Sequence, residues 1–352
     1  MDPTKKSSKY IIGRYTLLLG ASVVTFLFCE ISMRIFLYIK SRKSFTKIMT
    51  ELPKVKNDTP VGLGEMIQPS KNCKIIYGLR PNLRVYFANA LAETNNNGWR
   101  SKDYPFKKDK NTVRVIGLGD SFMFGQGIKQ GMDYLTILER EMNLRFPDKK
   151  WEIINTAVPG YNTVMEVETL IDKALMYGPD IVIIEYIGND LDLPNFIYES
   201  YDYLNLKKSF ILELFLSRYK LVKEAFRLYI SPRGQKDSLR FENNPQNVPA
   251  QYEDMVGWDS FVTAMRKLQK MKEGKHFDVV MLITLGGRDD KVIDLGNSLG
   301  FYAAYNSVYK IDDPSVTLSR EDSHYSEYGH KKTAEFLLNY MIQNKIIEKY
   351  IQ

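Results

Sequence analysis

Residues 113–125 read VRVIGLGDSFMFG, a mostly apolar run that leads into a glycine-rich turn. Its first six residues are mostly apolar and β-branched, which predicts a buried strand. The glycines at 117 and 119 permit a tight turn directly after that strand, and Ser121 stands in the turn. In an open α/β sheet, ligands bind at the carboxyl ends of the strands. We therefore expect Ser121 at the ligand-binding edge of such a sheet.

On either side of this stretch, short apolar runs alternate with helical stripes. Further strands are predicted at 151–156, 180–187 and 277–285. The second of these is almost continuously apolar, which suits a strand buried on both faces of a parallel sheet. Amphipathic helices are predicted at 134–146, at 164–174, at 258–268 and after Ser326. This alternation predicts an α/β fold with a doubly wound parallel sheet covered by helices.

The N-terminal segment is apolar and uncharged over residues 15–29, which read YTLLLGASVVTFLFC. Glu30 and Arg34 follow at positions i and i+4 with the acid first, the favourable order for an ion pair along a helix. We predict a basic tail at 1–10 and a transmembrane helix at 11–39. A cleaved signal peptide is the alternative, but no small-x-small cleavage site follows the apolar run.

The formal charge of +7 is confined to the N-terminal segment. Residues 1–50 contain nine basic and two acidic residues, and the remaining chain has 40 of each. The body therefore has no positive excess to attract phosphates, which argues against nucleic acid as a partner. The basic residues flank the apolar segment, where a membrane surface favours them. They are balanced on its two sides, so charge predicts no orientation.

Two other regions are less regular. Residues 40–110 are expected to form a connecting region, and the main domain is expected at 111–352. Within that domain, residues about 191–256 break the alternation and are rich in aromatic residues. They predict either a helical insertion with its own core or a cap that shapes a substrate pocket, and we expect the cap.

Three further groups of polar residues accompany the predicted sheet. The segment NTAVPGYN after the second strand contains Gly160, whose backbone N–H could face a ligand. The segment GND after the third strand contains Asn189, whose side-chain amide could donate into the same edge. The segment EDSHYSEYGH before the last helix contains His324, with acids two and three residues earlier. A serine nucleophile at neutral pH needs a base, and histidine is the commonest.

Taken alone, the turn at Ser121 has two interpretations that involve no catalytic serine. A dinucleotide-binding loop is disfavoured because the G-x-G is not followed by a third glycine. A plain tight turn with an N-capping serine remains open. Of the other histidines, His276 is expected in a surface loop and His330 is expected to pack or cap in the last helix. Arg100 is a candidate for binding a substrate carboxylate.

The four motifs, taken in order, resemble those of the SGNH/GDSL hydrolase family. The resemblance covers residues 111–340 and implies a flavodoxin-like, three-layer α/β/α domain. It implies that Ser121 attacks an acyl carbon and that His324 removes the serine proton. It also implies that an acid orients the imidazole. The segment NGWR before the domain, together with the apolar segment, resembles membrane-attached members of that family.

The resemblance also assigns an oxyanion hole and leaves a choice of acid. The backbone N–H groups of Ser121 and Gly160, with the amide of Asn189, would bind the oxyanion. The family often spaces its acid and histidine as D-x-x-H, and that position here is Glu321. Asp322 gives the shorter D-x-H spacing that other members use, and we expect Asp322 to be the acid.

These residues predict a serine esterase that acts on an O-acyl ester. The apolar segment and the resemblance imply a substrate on a cell-envelope carbohydrate or lipid, and a single-pass protein with its body outside the cytoplasm. An O-acyltransferase with the same triad and a catalytically silent, membrane-tethered binding module are the alternatives. No cofactor is expected, and no metal-binding motif is present in the sequence. The sequence predicts no oligomeric state.

Overall fold

A computed structural model describes residues 3–50, 54–197, 209–212, 248–284, 289–310 and 313–351. The chain divides into two compact units, one with residues 1–47 and 200–234 and the other with residues 48–199 and 235–352. Much of the predicted helical insertion at 191–256, namely 198–208 and 213–247, lies outside the described residues. The interpretation of that segment as a cap therefore stays a prediction.

The first unit contains most of helix α1, Pro3–Thr50. Its segment Gly13–Ile39 has a mean hydropathy of 1.8 and is long and apolar enough to cross a membrane, a test that a signal sequence also passes. At 1.5 Å per residue, 27 residues extend about 40 Å, which exceeds the ~30 Å hydrocarbon core of a bilayer. The helix runs without a break through residues 10 and 39, where the sequence predicted boundaries.

Among the described residues of this unit, Glu30 is a buried acid, with 7% of its surface exposed. Its Oε1 accepts from Arg34 Nε at 2.8 Å, in the ion pair that the i, i+4 spacing predicts. The same carboxylate accepts three donors from residues 209–211: Ser209 Oγ at 2.9 Å, Phe210 N at 2.9 Å and Ile211 N at 3.0 Å. The carboxylate therefore joins two segments that are distant in sequence.

In the second unit, residues 54–110 are folded, although the sequence predicted only a connecting region there. The elements are β1 Pro60–Val61, α2 Leu63–Met66, β2 Ile67–Pro69, β3 Tyr77–Leu79, β4 Arg84–Phe87 and β5 Ala90–Glu93. Strands β1, β4 and β5 form one sheet, and β2 pairs antiparallel with β3. Tyr77, Trp99 and Arg100 are buried. The strands are only two to four residues long, too short for a period-2 pattern to be visible in the sequence.

The main sheet has five parallel strands. They are β6 Thr112–Leu118, β7 Lys150–Asn155, β8 Ile181–Tyr186, β9 Asp278–Ile283 and β10 Tyr302–Tyr305, in the order β10-β9-β8-β6-β7. Every pair in this sheet is parallel. Strands β6 and β8 are buried along their whole length, as expected for a sheet covered on both faces. The sequence predicted four of these strands and missed β10.

Helices cover the two faces of this sheet. They are α3 Ser121–Phe124, α4 Tyr134–Arg145, α5 Thr163–Thr169, α6 Gly257–Lys275, α7 Asp289–Ser298, α8 Glu327–Gln343 and α9 Glu348–Ile351. Helix α4 packs against α8, and α5 packs against α6. From β6 the chain moves outward to β7 and then back across to β8, so right-handed crossovers place α4 and α5 on opposite faces. The predicted doubly wound α/β fold is confirmed, and its strand order reverses at β6.

Candidate active site

Ser121 is the first residue of α3, immediately beyond the carboxyl end of β6. Asp120 caps this helix, because its Oδ1 accepts from Phe122 N at 2.9 Å. The turn depends on Gly119, where an added Cβ would lie 2.6 Å from the Cβ of Met123. Ser121 therefore lies at the point where the strand order reverses, which is where doubly wound sheets bind ligands.

His324 contacts both Ser121 and Asp322. Its Nε2 lies 2.8 Å from Ser121 Oγ, and its Nδ1 lies 2.6 Å from Asp322 Oδ1. Asp322 Oδ1 also accepts from the backbone N–H of His324 at 3.1 Å. The side chain of Glu321 is exposed and makes no hydrogen bond to the imidazole. Of the two acids that the sequence offered, the geometry places Asp322 against the histidine.

These contacts stabilise the ionised form of Asp322. Partial burial acts to raise the pKa of Asp322, but the hydrogen bonds from the ring and backbone of His324 outweigh burial and lower it below its usual value. An ionised acid accepts from Nδ1–H and leaves Nε2 unprotonated to face Ser121. The three side chains thus form a continuous chain of hydrogen bonds from acid to base to hydroxyl.

Gly160 and Asn189 follow the two strands beside β6. Gly160 has φ +78°, and an added Cβ would lie 1.9 Å from Asn195 Nδ2, so both backbone conformation and space require glycine there. Its loop is joined to the turn at Ser121, since Val158 N donates to Gly119 O at 3.2 Å. Asn189 Nδ2 donates to Asp120 Oδ2 at 2.9 Å. Both residues therefore belong to loops that contact the turn.

Asp120 lies within hydrogen-bond distance of three donor groups. Besides Phe122 N and Asn189, its Oδ2 lies 3.1 Å from Ser121 Oγ, which can donate to it. Only 3% of Asp120 is exposed. Burial raises the pKa of Asp120 above its usual value, although the hydrogen bonds from Phe122 N and Asn189 counteract that rise. The polar groups that contact Asp120 are therefore mainly neutral dipoles.

A buried polar network lies behind His324, and the sequence did not reveal it. Glu185 on β8 accepts from Tyr134 Oη at 2.7 Å, Thr284 Oγ1 at 2.7 Å and Tyr325 Oη at 2.8 Å. Burial raises the pKa of Glu185 to about 7, and hydrogen bonds from the three hydroxyls limit the rise. Tyr325 adjoins His324, so this network fixes the backbone that carries the imidazole. The signal was a glutamate within the apolar run DIVIIEYI.

Arg100 is buried, which argues against its candidate role in binding a substrate carboxylate. Only 2% of the residue is exposed. Its guanidinium donates to the backbone carbonyls of Phe124 at 3.0 Å and Ile128 at 2.8 Å, and to Gln130 Oε1 at 2.8 Å. It also contacts the carbonyl of Gly125. Arg100 therefore binds the loop that follows α3 and has no donors turned towards a ligand.

The remaining candidates have structural roles. His330 is fully buried in α8, and its Nδ1 accepts from Tyr134 N at 3.2 Å. His276 ends α6 with φ +60°. Asp190 accepts from Ile187 N and Thr163 Oγ1, each at 2.6 Å, and so holds the turn that carries Asn189. Among the described residues, no group of three or more His, Cys, Asp or Glu side chains is arranged to hold a metal ion.

No protein-family model and no curated protein matches this chain. Among solved structures, it is similar to a protein assigned to the lipolytic G-D-S-L family from Desulfitobacterium hafniense, with 13% identity, a TM-score of 0.39, and coverage of 65% of this chain and 99% of that chain. An acetylxylan esterase from Geobacillus stearothermophilus has 13% identity and a TM-score of 0.41, with 65% and 94% covered. A lipase/acylhydrolase from Enterococcus faecalis has 11% identity and a TM-score of 0.37, with 66% and 96% covered. At these identities and TM-scores, the similarity supports no conclusion about chemistry.

Proposed function

We propose that this chain is a serine esterase of the SGNH/GDSL type, with Ser121 as nucleophile, His324 as base and Asp322 as the orienting acid. The observation that supports it is the continuous contact from Asp322 Oδ1 through His324 to Ser121 Oγ, at 2.6 and 2.8 Å. Such distances are within hydrogen-bond reach, which nucleophile and base require. Ser121 follows β6, whereas Asp322 and His324 share the loop before α8.

The reaction follows from this geometry. Ser121 Oγ forms a bond to the ester carbon while its proton moves to His324 Nε2, and the carbonyl electrons move to the oxygen. The tetrahedral intermediate then breaks its bond to the alcohol oxygen, which takes the proton from the imidazole. Water attacks the acyl-enzyme in the same way, releases the acid and restores the serine.

The negative oxygen of that intermediate needs donors. We assign the backbone N–H groups of Ser121 and Gly160 and one N–H of Asn189 to this role. Because residue 160 is glycine, it has no side chain of its own beside its backbone N–H. The Asn189 amide is already hydrogen-bonded to Asp120 in the turn of Ser121. Removing one such donor typically costs about 3 to 4 kcal/mol of transition-state stabilisation.

The substrate class is an O-acyl ester of a cell-envelope carbohydrate or lipid, and α1 is a retained single-pass anchor with the body outside the cytoplasm. The contacts of Glu30 support retention, because cleavage after the segment Gly13–Ile39 would remove the carboxylate that accepts from residues 209–211. Intact mass of the protein extracted from membranes distinguishes the two: a retained anchor gives the full chain from Met1, and a signal peptide gives a truncated chain.

The activity is tested with Ser121→Ala. We expect the unchanged protein to hydrolyse p-nitrophenyl acetate and to be labelled by a fluorophosphonate at Ser121, and the variant to lose both. The matched control is Ser298→Ala. Ser298 is exposed and its Oγ donates a hydrogen bond to Leu295 O, so this variant should keep both hydrolysis and labelling. Unchanged hydrolysis by Ser121→Ala would exclude this site. Analysis of products with a glycan acceptor separates hydrolysis from acyl transfer, which uses the same residues and which no observation favours.

A further inference from the structure

We propose that Asp120 is a positioning residue that fixes the Asn189 amide so that one of its N–H groups faces the oxyanion, an inference that rests on the proposed function. The carboxylate divides its oxygens between two tasks. Oδ1 accepts from Phe122 N at 2.9 Å and holds the turn, while Oδ2 accepts from Asn189 Nδ2 at 2.9 Å and lies 3.1 Å from Ser121 Oγ. One residue thus connects the nucleophile turn with the loop after β8.

The orientation of the Asn189 amide follows from the charge of its neighbour. An amide oxygen facing the carboxylate of Asp120 would be repelled, so Nδ2 must be the atom that faces it. Nδ2 carries two hydrogens, and one is used by Asp120 Oδ2. The other remains for a negative oxygen bound at Ser121. The amide oxygen of Asn189 is buried without a hydrogen-bond partner among the described residues, so Asp120 supplies the contact that sets this orientation.

The position of Asp120 is itself well determined. It is the N-cap of α3, is 3% exposed, and lies one residue before the nucleophile. In such surroundings a hydrogen bond is stronger than in water, because the local dielectric is lower. The pair Asp120–Asn189 is therefore organised before substrate binds, which is what electrostatic stabilisation of a transition state requires.

The test is a double-mutant cycle on kcat and KM. Asp120→Asn keeps the shape but replaces one accepting oxygen by a donor, so it cannot accept from both Phe122 N and Asn189. We expect kcat to fall about 10- to 100-fold with KM within about twofold, because an interaction made in the transition state is lost. In the Asn189→Ala background the same substitution should lower kcat by less than about threefold, since its target is gone.

Two further variants keep the result interpretable. Asp120→Ser retains an N-cap for Phe122 N but is too short to hold Asn189, so it should lower kcat even if Asp120→Asn folds poorly. Asp133→Asn is the matched control, a buried N-cap of α4 that accepts from Thr136 N and contacts neither Ser121 nor Asn189. We expect its kcat to stay within about twofold of the unchanged protein.

Two outcomes would overturn the inference: equal losses of kcat from Asp120→Asn with and without Asn189, or losses no larger than those of Asp133→Asn. Both leave Ser121→Ala inactive, so the proposed function stands. Retained activity in Ser121→Ala would instead overturn the proposed function, and this inference with it.

Discussion

Glu30 in the apolar helix and Asp120 at the edge of the sheet are both almost completely buried, but their charges are compensated in different ways. Glu30 pairs with the cation of Arg34 and accepts three donors from residues 209–211. Asp120 accepts from a backbone N–H and a side-chain amide, and a neutral hydroxyl lies beside it. A full counter-charge suits an apolar segment, where an unpaired ion is very costly. Neutral dipoles suit a site that must hold a new negative charge nearby.

Asp120 and Asp322 contact the groups that react, Glu185 supports the backbone beside His324, and Glu30 joins two segments of the first unit. Substitution of Asp120 or Asp322 should therefore change the reaction. Substitution of Glu185 should change how stability depends on pH, and substitution of Glu30 should change stability alone.

The largest effect is expected from Asp322→Ala. Without the acid, the imidazole loses the partner that fixes its tautomer and stabilises its charged form, so kcat should fall about 10³- to 10⁴-fold. Ester hydrolysis under saturating substrate measures this directly. Glu30→Gln serves as the control and should leave kcat unchanged, since it lies in the other unit. A loss of less than about tenfold would contradict the assigned role of Asp322.

The next largest effect is expected in the pH dependence of stability, through the ionisation of Glu185. Its pKa is raised to about 7 in the folded protein by burial, from about 4.5 in an unfolded chain. The folded state therefore holds the proton more tightly, and stability falls as pH rises from about 4.5 to about 7, then stays level. The shift corresponds to about 3 kcal/mol. Denaturant titrations at pH 5 and pH 8 should show most of this difference in the unchanged protein.

Glutamine at position 185 cannot ionise, so Glu185→Gln should lose this dependence of stability on pH. Glu348→Gln, on the exposed side of α9, is the control and should keep it. An equally steep fall of stability with pH in Glu185→Gln would show that another group titrates in this range.

A smaller effect is expected at Glu30. Glu30→Ala removes a charged acceptor of four donor groups and leaves Arg34 without its ion pair, so we expect a loss of about 2 kcal/mol in the free energy of unfolding. Titration with denaturing detergent would measure the loss, and hydrolysis of a soluble ester should not change. The double variant Glu30→Ala, Arg34→Met removes both charges and should recover part of it. No recovery would argue against the ion pair as the cause.

The smallest effect is expected at Glu321. Its side chain is exposed and does not touch the imidazole, although the commoner D-x-x-H spacing would select it. Glu321→Gln should change kcat and KM by less than about twofold, because exposed charges far from a reacting group contribute little. Measured beside Asp322→Ala, it tests which of two adjacent acids acts. A larger loss from Glu321→Gln than from Asp322→Ala would reverse the assignment.

Much of the fold was predictable because its signals are local. Strands such as β6 and β8 are mostly apolar over six or seven residues and are bounded by glycine, proline or polar turns, so their burial is visible in the sequence. Strand β10 reads YAAY and lies at the edge of the sheet, where two of its four residues are half-buried. The elements of residues 54–110 are shorter still. A pattern that needs several alternations cannot reveal such strands.

In the candidate site too, some residues could be selected from the sequence, whereas contacts between distant residues could not. The order of motifs and the small number of histidines were enough to select Ser121 and His324, and their catalytic roles remain predictions. The contact between Asp120 and Asn189 joins residues 69 positions apart. Arg100 gave no sign of its burial, because an arginine that donates to backbone carbonyls has no spacing signature. Contacts of this kind depend on packing, which no local pattern encodes.

The distance along the chain between Glu30 and Ser209 has a consequence for synthesis. The two are 179 residues apart, so at 5–20 residues per second Ser209 leaves the ribosome about 10 to 40 s after the acid. Arg34 emerges within a second and is the partner already present. The ion pair thus protects the nascent helix from carrying a bare carboxylate until its later partners are translated.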